Sequence, residues 1–367
     1  MLVHFTATGW GASYRIRDVY SFLIDNYENG DQIYIFGFSR GAYQARILTS
    51  LLHHAGIPSI QNQTINSKDL AGDVYLSFKG KFHSSAQRRN AVNQYYEQKH
   101  LTSIYPEVQV LGLWDTVESF GWLDGDENID NPNSNYGDQL CNVRNAFQAV
   151  SLDDNRATIF TPLLITRKHL FEQCDPNERF VINNLDEFSS TTRNVFEVWF
   201  SGAHSDVGGG YNTSDLNQVS LDWMVSLISS NKFLSDAILL PVELGRINND
   251  PLELSHNARS GLGWFYRKMQ RKPSLYTKSE KDSNIAGIVQ EGKSMVSEIS
   301  IHASAIERIT TCTGTKVSCR YKAKHELNWA KEFPNCFIYD SEKQRFNRTP
   351  SDLSTCNIKV VQTQNPE

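Results

Sequence analysis

Residues 33–56, IYIFGFSRGAYQARILTSLLHHAG, decide the fold of this chain. The stretch begins with residues 33–36, a run of β-branched and aromatic side chains that is typical of a buried strand. It continues into the G-x-S-x-G pattern of residues 37–41. Small and aliphatic residues then recur at helical spacing as far as Gly56, which can end a helix. The stretch therefore predicts a strand, a sharp turn and a helix, in that order.

A G-x-S-x-G pattern in this setting is typical of a nucleophile elbow. The middle residue of such a turn takes strained backbone angles, and glycine on either side avoids a collision between neighbours. Ser39 would stand between the strand and the helix, where the Arg40 N–H and the helix dipole can stabilise an oxyanion. The plainer alternative is a Gly/Ser turn without chemistry. We take Ser39 as the candidate nucleophile and Arg40 as the candidate oxyanion donor.

Composition limits the class of protein. The 367 residues are enough for one large α/β domain, alone or with a small appendage. A net charge of −5 with dispersed basic residues gives no reason to expect nucleic-acid binding. The sequence has no apolar run of about 18 residues, and its first residues do not resemble a signal peptide. The compartment stays unknown, either cytoplasm or export by a signal-independent route.

The cysteines leave the redox state open. None of the six forms a C-x-x-C pair, which argues against a zinc knuckle. Their even number suits disulfides in an oxidising compartment, and reduced surface cysteines fit equally well. Four of them lie in the polar segment 311–367, where hydrophobic periodicity fades. We expect a catalytic domain over 1–310 and an irregular Cys-containing tail over 311–367, with a short strand at 358–361.

Hydrophobic periodicity predicts the other elements. Residues 57–105 are expected to be irregular outside a helix at 86–99. The acidic segment 124–138 is expected to be a solvated loop, because its spacing is not that of a calcium-binding EF-hand. Helices are predicted at 13–28, 86–99, 143–156 and 216–229, and strands at 108–114 and 195–200.

Three predicted strands each end at a polar residue: Ser39, Asp115 and His204. The carboxyl ends of parallel strands gather at one edge of a sheet, where sites form. Nucleophile, acid, base is also the chain order of α/β-hydrolases. His204 would accept the proton of Ser39, and Asp115 would fix the imidazole tautomer. The plainer alternatives are a turn histidine at 204 and a capping carboxylate at 115.

Two further residues compete for these roles. Asp206 is the rival acid, although we expect it to bond backbone N–H groups of the turn at 208–210. His302 is the rival base, although its surroundings at 301–308 read as helical rather than as the end of a strand.

Segments 37–46, 112–117 and 202–211 together resemble three signatures of one α/β-hydrolase family. That family includes the type VI secretion phospholipase effectors of the first class and many uncharacterised bacterial and fungal proteins. Weaker similarities extend the resemblance over about residues 7–310, and they lie at 7–11, 26–31, 151–156 and 301–308. The resemblance implies a serine esterase of lipid acyl esters, with Ser39, Asp115 and His204 at the triad positions.

The sequence departs from this family in two places. Family members usually begin with a further strand that ends in an Asp-Gly-Thr turn, a natural source of a second oxyanion donor. Nothing here matches it, so we expect the α/β-hydrolase-like sheet to lack its first strand, and the chain to be weakly active and prone to aggregate. Gln148 stands where relatives often have histidine.

The sequence therefore predicts a serine hydrolase of carboxylic esters, phospholipase-like or lipase-like, that needs no cofactor. A hydrolase-like protein without activity is one alternative. A metal-dependent hydrolase that uses Asp115, His204 and Asp206 is another. The expected partners are a lipid or other ester substrate, transient contact with a membrane surface and, for an effector, secretion-machinery or immunity proteins. The acyl chain and headgroup are not indicated.

Overall fold

The computed structural model describes most of the chain in segments. These are residues 12–60, 64–117, 136–156, 160–211, 216–229, 250–253, 255–258, 270–277, 294–311, 328–343, 345–349 and 352–363. The similarity at 7–11 lies outside them, and so does the predicted loop at 124–138 as far as residue 135.

A seven-stranded sheet forms the centre of the described fold. Its strands are β1 (Ile33–Phe38), β4 (Val108–Trp114), β5 (Val143–Ser151), β6 (Phe180–Ile182), β7 (Arg193–Phe200), β8 (Ile299–His302) and β11 (Ile358–Val361). They run in the order β1-β4-β5-β7-β8-β11, with β6 paired to β7 beside this path. Every pair in this sheet is parallel, so the carboxyl ends of all seven strands face one edge.

Helices cover both faces of this sheet. Leu48 and Leu51 of helix α2 share one hydrophobic cluster with Leu111 of β4. On the other face, Trp223 packs in a second cluster with Val110, the residue before Leu111. Alternate residues of a strand point to opposite faces, and burial on both sides is what a parallel sheet requires. The result is a mostly parallel, α/β-hydrolase-like architecture.

Most of the predicted elements are confirmed. The helices of the described residues are α1 (Ala12–Asn26), α2 (Arg40–Ala55), α3 (Ser67–Phe78), α4 (Ser85–Lys99), α5 (His204–Gly208), α6 (Leu216–Ser229) and α7 (Ala303–Thr311). Predicted strands at 108–114, 195–200 and 358–361 are present as β4, β7 and β11. The short strands β2 (Ile57–Pro58) and β3 (Ser103–Ile104) form a separate antiparallel pair.

The prediction of a helix at 143–156 is wrong. Residues 143–151 form β5, which lies between β4 and β7 and is buried along almost its whole length. In the sequence VRNAFQAVS the apolar residues at 143, 146, 147 and 150 recur at helical spacing. The strand is nevertheless buried on both faces, so it also buries the polar residues Asn145 and Gln148. The reading of 57–105 as irregular outside α4 is also wrong, because α3 buries Leu70, Val74 and Phe78 on one side.

The tail has more regular structure than its polarity indicates. Strands β9 (Phe337–Asp340) and β10 (Arg345–Arg348) form an antiparallel hairpin, and β11 pairs with β8 in the main sheet. Disulfides join Cys141 to Cys174 and Cys336 to Cys356. The boundary near residue 310, between a catalytic domain and a tail, stays a prediction from the sequence. None of the described helices is long and apolar enough to cross a membrane.

Candidate active site

Ser39 lies in a tight turn between β1 and α2. Its backbone angles are φ 59° and ψ −128°, a strained conformation for a residue with a side chain. A Cβ atom at Gly37 would come within 2.6–2.8 Å of the backbone of Gly41 and Ala42. Only glycine fits there, as the sequence predicts for this position. Arg40 is the first residue of α2, so its N–H belongs to the first turn of that helix.

Asp115 follows directly after β4 and is completely buried. Its backbone also has a positive φ, 42°. The Asp115 N–H donates to the Ala149 carbonyl at 2.7 Å, and Oδ1 accepts the Ser151 N–H at 2.9 Å. Strand β5 therefore supports the carboxylate from the neighbouring position in the sheet.

His204 opens the short helix α5, just beyond the end of β7. Its ring lies between Phe38 and Phe160, with centroid distances of 4.6 and 4.8 Å. Nδ1 lies 2.5 Å from Asp115 Oδ2, and Nε2 lies 2.7 Å from Ser39 Oγ. The structure thus brings the three strand-end residues into one chain of hydrogen bonds.

The ionisation of Asp115 sets the direction of these hydrogen bonds. Complete burial alone would raise the pKa of this carboxyl, but the adjacent Arg271 guanidinium and the bond to His204 outweigh it and lower the pKa to about 2. An ionised carboxylate can only accept, so Nδ1 of His204 carries the hydrogen. In the neutral imidazole, Nε2 then carries the lone pair that can accept the hydrogen bond of the Ser39 hydroxyl.

The loop after β5 holds the turn that carries His204. Asp153 Oδ2 accepts the Gly202 N–H at 2.6 Å, and Asp154 Oδ2 accepts the His204 N–H at 3.2 Å. Burial would raise the pKa of Asp154, but hydrogen bonding to Arg156 and nearby positive charge lower it overall. Sequence similarity singles out 151–156, and its two aspartates act on the backbone around the histidine rather than on its ring.

Asp206 lies outside this chain of hydrogen bonds. Its Oδ2 accepts the N–H groups of Ala203 and His256, both at 2.9 Å, and its Oδ1 lies 2.7 Å from His256 Nδ1. The ring of His256 stacks on Tyr211 at 3.9 Å. Asp206 therefore joins the His204 turn to residues 255–256. The sequence instead predicts bonds from Asp206 to the N–H groups of the turn at 208–210.

His302 also lies outside the chain, and its predicted setting is wrong. It is the last residue of β8, not a helical residue, and α7 begins after it. Nδ1 lies 2.7 Å from Ser304 Oγ and Nε2 lies 3.0 Å from Thr363 Oγ1. Both ring nitrogens thus have partners other than Ser39.

Gln148 is a buried residue of β5 that binds other side chains. Its Nε2 donates to Glu197 Oε2 at 2.9 Å and to the Leu163 carbonyl at 3.1 Å, and its Oε1 accepts from the Thr116 hydroxyl. Burial raises the pKa of Glu197 despite these bonds. Gln148 therefore links β5 to β7 and to the segment that follows β4.

The metal-site alternative finds no support in the geometry. Across the segments that the structure describes, no three His, Cys, Asp or Glu side chains are grouped so as to hold a metal ion. Asp206 pairs with His256, while Asp115 and His204 pair with each other.

Arg271 is a residue of the site that sequence patterns do not reveal. It is fully buried and pairs with both carboxylate oxygens of Asp115. It lies in the polar run QRKPS, where nothing distinguishes it from a surface arginine.

A parallel sheet with helices on both faces and a strained serine between strand and helix define an α/β-hydrolase-like protein. Residues 3–227 match the family described as T6SS, phospholipase effector Tle1-like, catalytic domain. The match covers more than half of the chain, and the chain belongs to this family. It ends before the similarity noted at 301–308.

Two individual proteins are also similar. The chain is 27% identical over 174 residues to the uncharacterized protein YEL023C of Saccharomyces cerevisiae. That alignment covers 44% of this chain and 24% of the yeast protein. The crystal structure of an uncharacterized protein from Pseudomonas aeruginosa aligns with 57% of this chain and 26% of its own, with 17% identity and a TM-score of 0.23. The alignments span about a quarter of each of these longer proteins.

Proposed function

We propose that this protein is a serine hydrolase of carboxylic esters that acts on phospholipids or related lipids. One observation carries the proposal: Ser39 Oγ, both nitrogens of His204 and the Asp115 carboxylate form an unbroken chain with links of 2.7 and 2.5 Å. Distances of this size are those at which a base can accept the proton of a nucleophile.

Acylation follows from the direction of these bonds. His204 Nε2 removes the hydroxyl proton as Ser39 Oγ attacks the ester carbonyl carbon. The imidazole becomes positively charged, and the ionised Asp115 stabilises that charge. The Arg40 N–H, at the positive end of α2, donates to the oxyanion of the tetrahedral intermediate. His204 then gives its proton to the leaving alcohol, and the acyl group stays on Ser39.

Deacylation repeats these steps with water. His204 Nε2 takes a proton from water, whose oxygen attacks the acyl-enzyme carbonyl, and the proton then returns to Ser39. The step consumes one water and releases one carboxylic acid. No metal or other cofactor takes part in this scheme.

Family membership supports a lipid substrate, because the family is described as one of phospholipase effectors. Transient contact with a membrane surface would give access to such a substrate. Secretion-machinery and immunity partners stay predictions that follow from the effector description alone.

A fluorophosphonate probe and a phospholipid assay test the proposal together. Purified protein should be labelled at Ser39 and should release fatty acid from phosphatidylcholine vesicles. Ser39→Ala should abolish both signals, and turnover should fall by several orders of magnitude in Ser39→Ala, in His204→Ala and in the double variant alike.

Two controls separate the alternatives. EDTA should leave turnover unchanged, whereas its loss would favour a metal-dependent hydrolase. Folded protein that neither reacts with the probe nor turns over a short-chain p-nitrophenyl ester would contradict the proposal. Labelling and p-nitrophenyl turnover without fatty-acid release would restrict the proposal to non-lipid esters.

A further inference from the structure

Arg271 lies 156 residues beyond Asp115 in the chain, and all of its guanidinium N–H groups form hydrogen bonds at the site. Nη1 donates to Asp115 Oδ1 at 2.6 Å and to the Ser151 carbonyl at 2.7 Å. Nη2 donates to Asp115 Oδ2 at 2.9 Å and to the Phe160 carbonyl at 2.6 Å, and Nε donates to the same carbonyl at 3.2 Å. A guanidinium has five N–H groups, and each has an acceptor here.

This arrangement does two things for the carboxylate. The two parallel bonds fix the plane of the Asp115 carboxyl group, a geometry that arginine provides and lysine does not. The positive charge keeps that carboxylate ionised although neither side chain of the pair is exposed. The same guanidinium also donates to the carbonyl of Phe160, whose ring packs edge-on against the His204 imidazole.

We infer that Arg271 is a positioning residue of the hydrolase: it holds Asp115 ionised and oriented so that the carboxylate accepts the Nδ1–H of His204. The inference rests on the proposed function, and it adds to the triad a residue that makes no contact with Ser39 in the described structure. Its role is exerted through Asp115.

Other titratable and charged groups lie near this pair. The carboxylate of Asp154, beside the His204 backbone, is paired with Arg156. On α5, Asp206 is paired with His256. Asp153 accepts the Gly202 N–H at the start of the same turn. Arg271 contacts both carboxylate oxygens of Asp115, so a neutral residue at 271 removes a positive charge from the immediate surroundings of the pair.

The sign of the resulting pH effect follows. Loss of a positive charge beside the Asp115–His204 pair makes it easier for a proton to enter the pair, whichever atom takes it. The reactive form, with Nε2 unprotonated, then disappears at higher pH as acid is added. The acid limb of the pH–rate profile should therefore move upward in Arg271→Gln, by about one pH unit.

The experiment measures the rate of Ser39 labelling by a fluorophosphonate between pH 5 and 9, which requires no knowledge of the substrate. Arg271→Gln should be labelled about 10- to 100-fold more slowly than wild type at pH 8, with its acid limb moved upward. Arg271→Lys should keep the limb near the wild-type position, because the charge remains, but label more slowly because the two-point geometry is lost. If Arg271→Gln does not fold, Arg271→Lys and Arg271→Met are measured instead.

A matched control distinguishes positioning from simple stabilisation. Arg193 is another buried arginine, paired with Glu107 and Glu178 at the start of β7, the far end of that strand from His204. Arg193→Gln should lower Tm and leave the acid limb in place. A second check is that Asp115→Asn combined with Arg271→Gln should label no more slowly than Asp115→Asn alone.

Three outcomes would overturn the inference, and they are distinguishable. If wild-type Ser39 is not labelled, the proposed function fails and the inference fails with it. If wild type is labelled but folded Arg271→Gln shows the wild-type rate and limb, only the role of Arg271 fails. An effect of Arg271→Gln that equals that of Arg193→Gln would also reduce Arg271 to a structural residue.

Discussion

Gly208 lies directly against the ring of Phe38. A Cβ atom at Gly208 would come within 2.0 Å of two ring carbons, and the same ring lies 4.6 Å from the imidazole of His204. The last residue of β1 therefore packs between the helix that begins with the histidine and the histidine ring itself. This contact couples the backbone at 208 to the orientation of the imidazole.

Gly208→Ala should lower both activity and stability. The added methyl group must displace the Phe38 ring, and overpacking of this kind costs about 1–3 kcal/mol. We expect at least a tenfold loss of ester turnover with a lower Tm. Gly72→Ala in helix α3 is the matched control. A Cβ atom at Gly72 would lie 3.9 Å from the Arg17 side chain, an ordinary contact distance, and alanine favours a helix. Equal Tm values and turnover in the two variants would contradict the packing argument.

Asp115→Asn should lose both activity and stability. Turnover should fall by about 10⁴-fold, because the imidazole loses the acceptor that fixes its tautomer. Removal of one partner also leaves Arg271 buried without its directly bonded carboxylate, and breaking a buried pair in this way costs about 3–5 kcal/mol. Activity assays and denaturant melts check both effects.

Asp206→Asn is the comparison for that experiment. It should lower stability by loosening residues 203 and 256, with a smaller loss of turnover, because Asp206 does not contact the imidazole of His204. A larger activity loss in Asp206→Asn than in Asp115→Asn would exchange the two roles.

Acid should destabilise the fold through buried histidines. Burial lowers the pKa of His54 to about 2 and that of His302 to about 4, against 6.5 for an ordinary histidine. Below pH 6.5 the unfolded chain binds more protons, so the full stabilisation exists above pH 6.5 and falls as the pH drops toward 4. Each of these histidines should cost about 1.4 kcal/mol per pH unit in that range.

Tm values at pH 7, 6 and 5 check this. His302→Asn should show a shallower fall than wild type, whereas substitution of the exposed His83 by Asn should not. Asp115 does not confuse the comparison. Its lowered pKa of about 2 places its own loss of stabilisation below pH 3.8. A pH-independent Tm over this range would contradict the prediction.

The disulfides should contribute measurably to stability. They close segments of 33 and 20 residues, and loops of this length stabilise by about 3 kcal/mol each in the chain-entropy model. Dithiothreitol should therefore lower Tm. Cys336→Ser with Cys356→Ser should reproduce part of that loss, because Cys336 precedes the β9–β10 hairpin and Cys356 precedes β11. Unchanged melting after reduction would show that the links are not formed in solution.

The elbow and its neighbours could be predicted because their signals are local. Residues 33–56 carry the strand, the turn and the helix in one stretch, and the structure places their boundaries within a few residues of the prediction. Strand β4 ends at Trp114 as predicted, and Asp115 follows it. Residues at the ends of parallel strands meet at one edge, so the proximity of Ser39, Asp115 and His204 also follows from topology.

Other features could not be predicted because they depend on distant partners. The apolar residues of β5 are spaced as in a helix, and pairing with its neighbours β4 and β7 makes this segment a strand. His302 is the last residue of the short strand β8, and one pairing partner of that strand, β11, begins 56 residues later. Arg271 is one arginine among 36 basic residues, and only its contacts distinguish it.

The order in which the site's residues occur in the chain has a consequence for biosynthesis. Ser39 emerges from the ribosome before the other residues of the site, because His204 lies 165 residues later and Arg271 lies 156 residues beyond Asp115. At typical rates of elongation, roughly 10–50 s separate the synthesis of Ser39 from that of Arg271. Until Arg271 has been made, the residues that hydrogen-bond around Ser39, Asp115 and His204 are not all present. A nascent chain of this kind would therefore hold an incomplete form of the proposed hydrolase site until Arg271 has been synthesised.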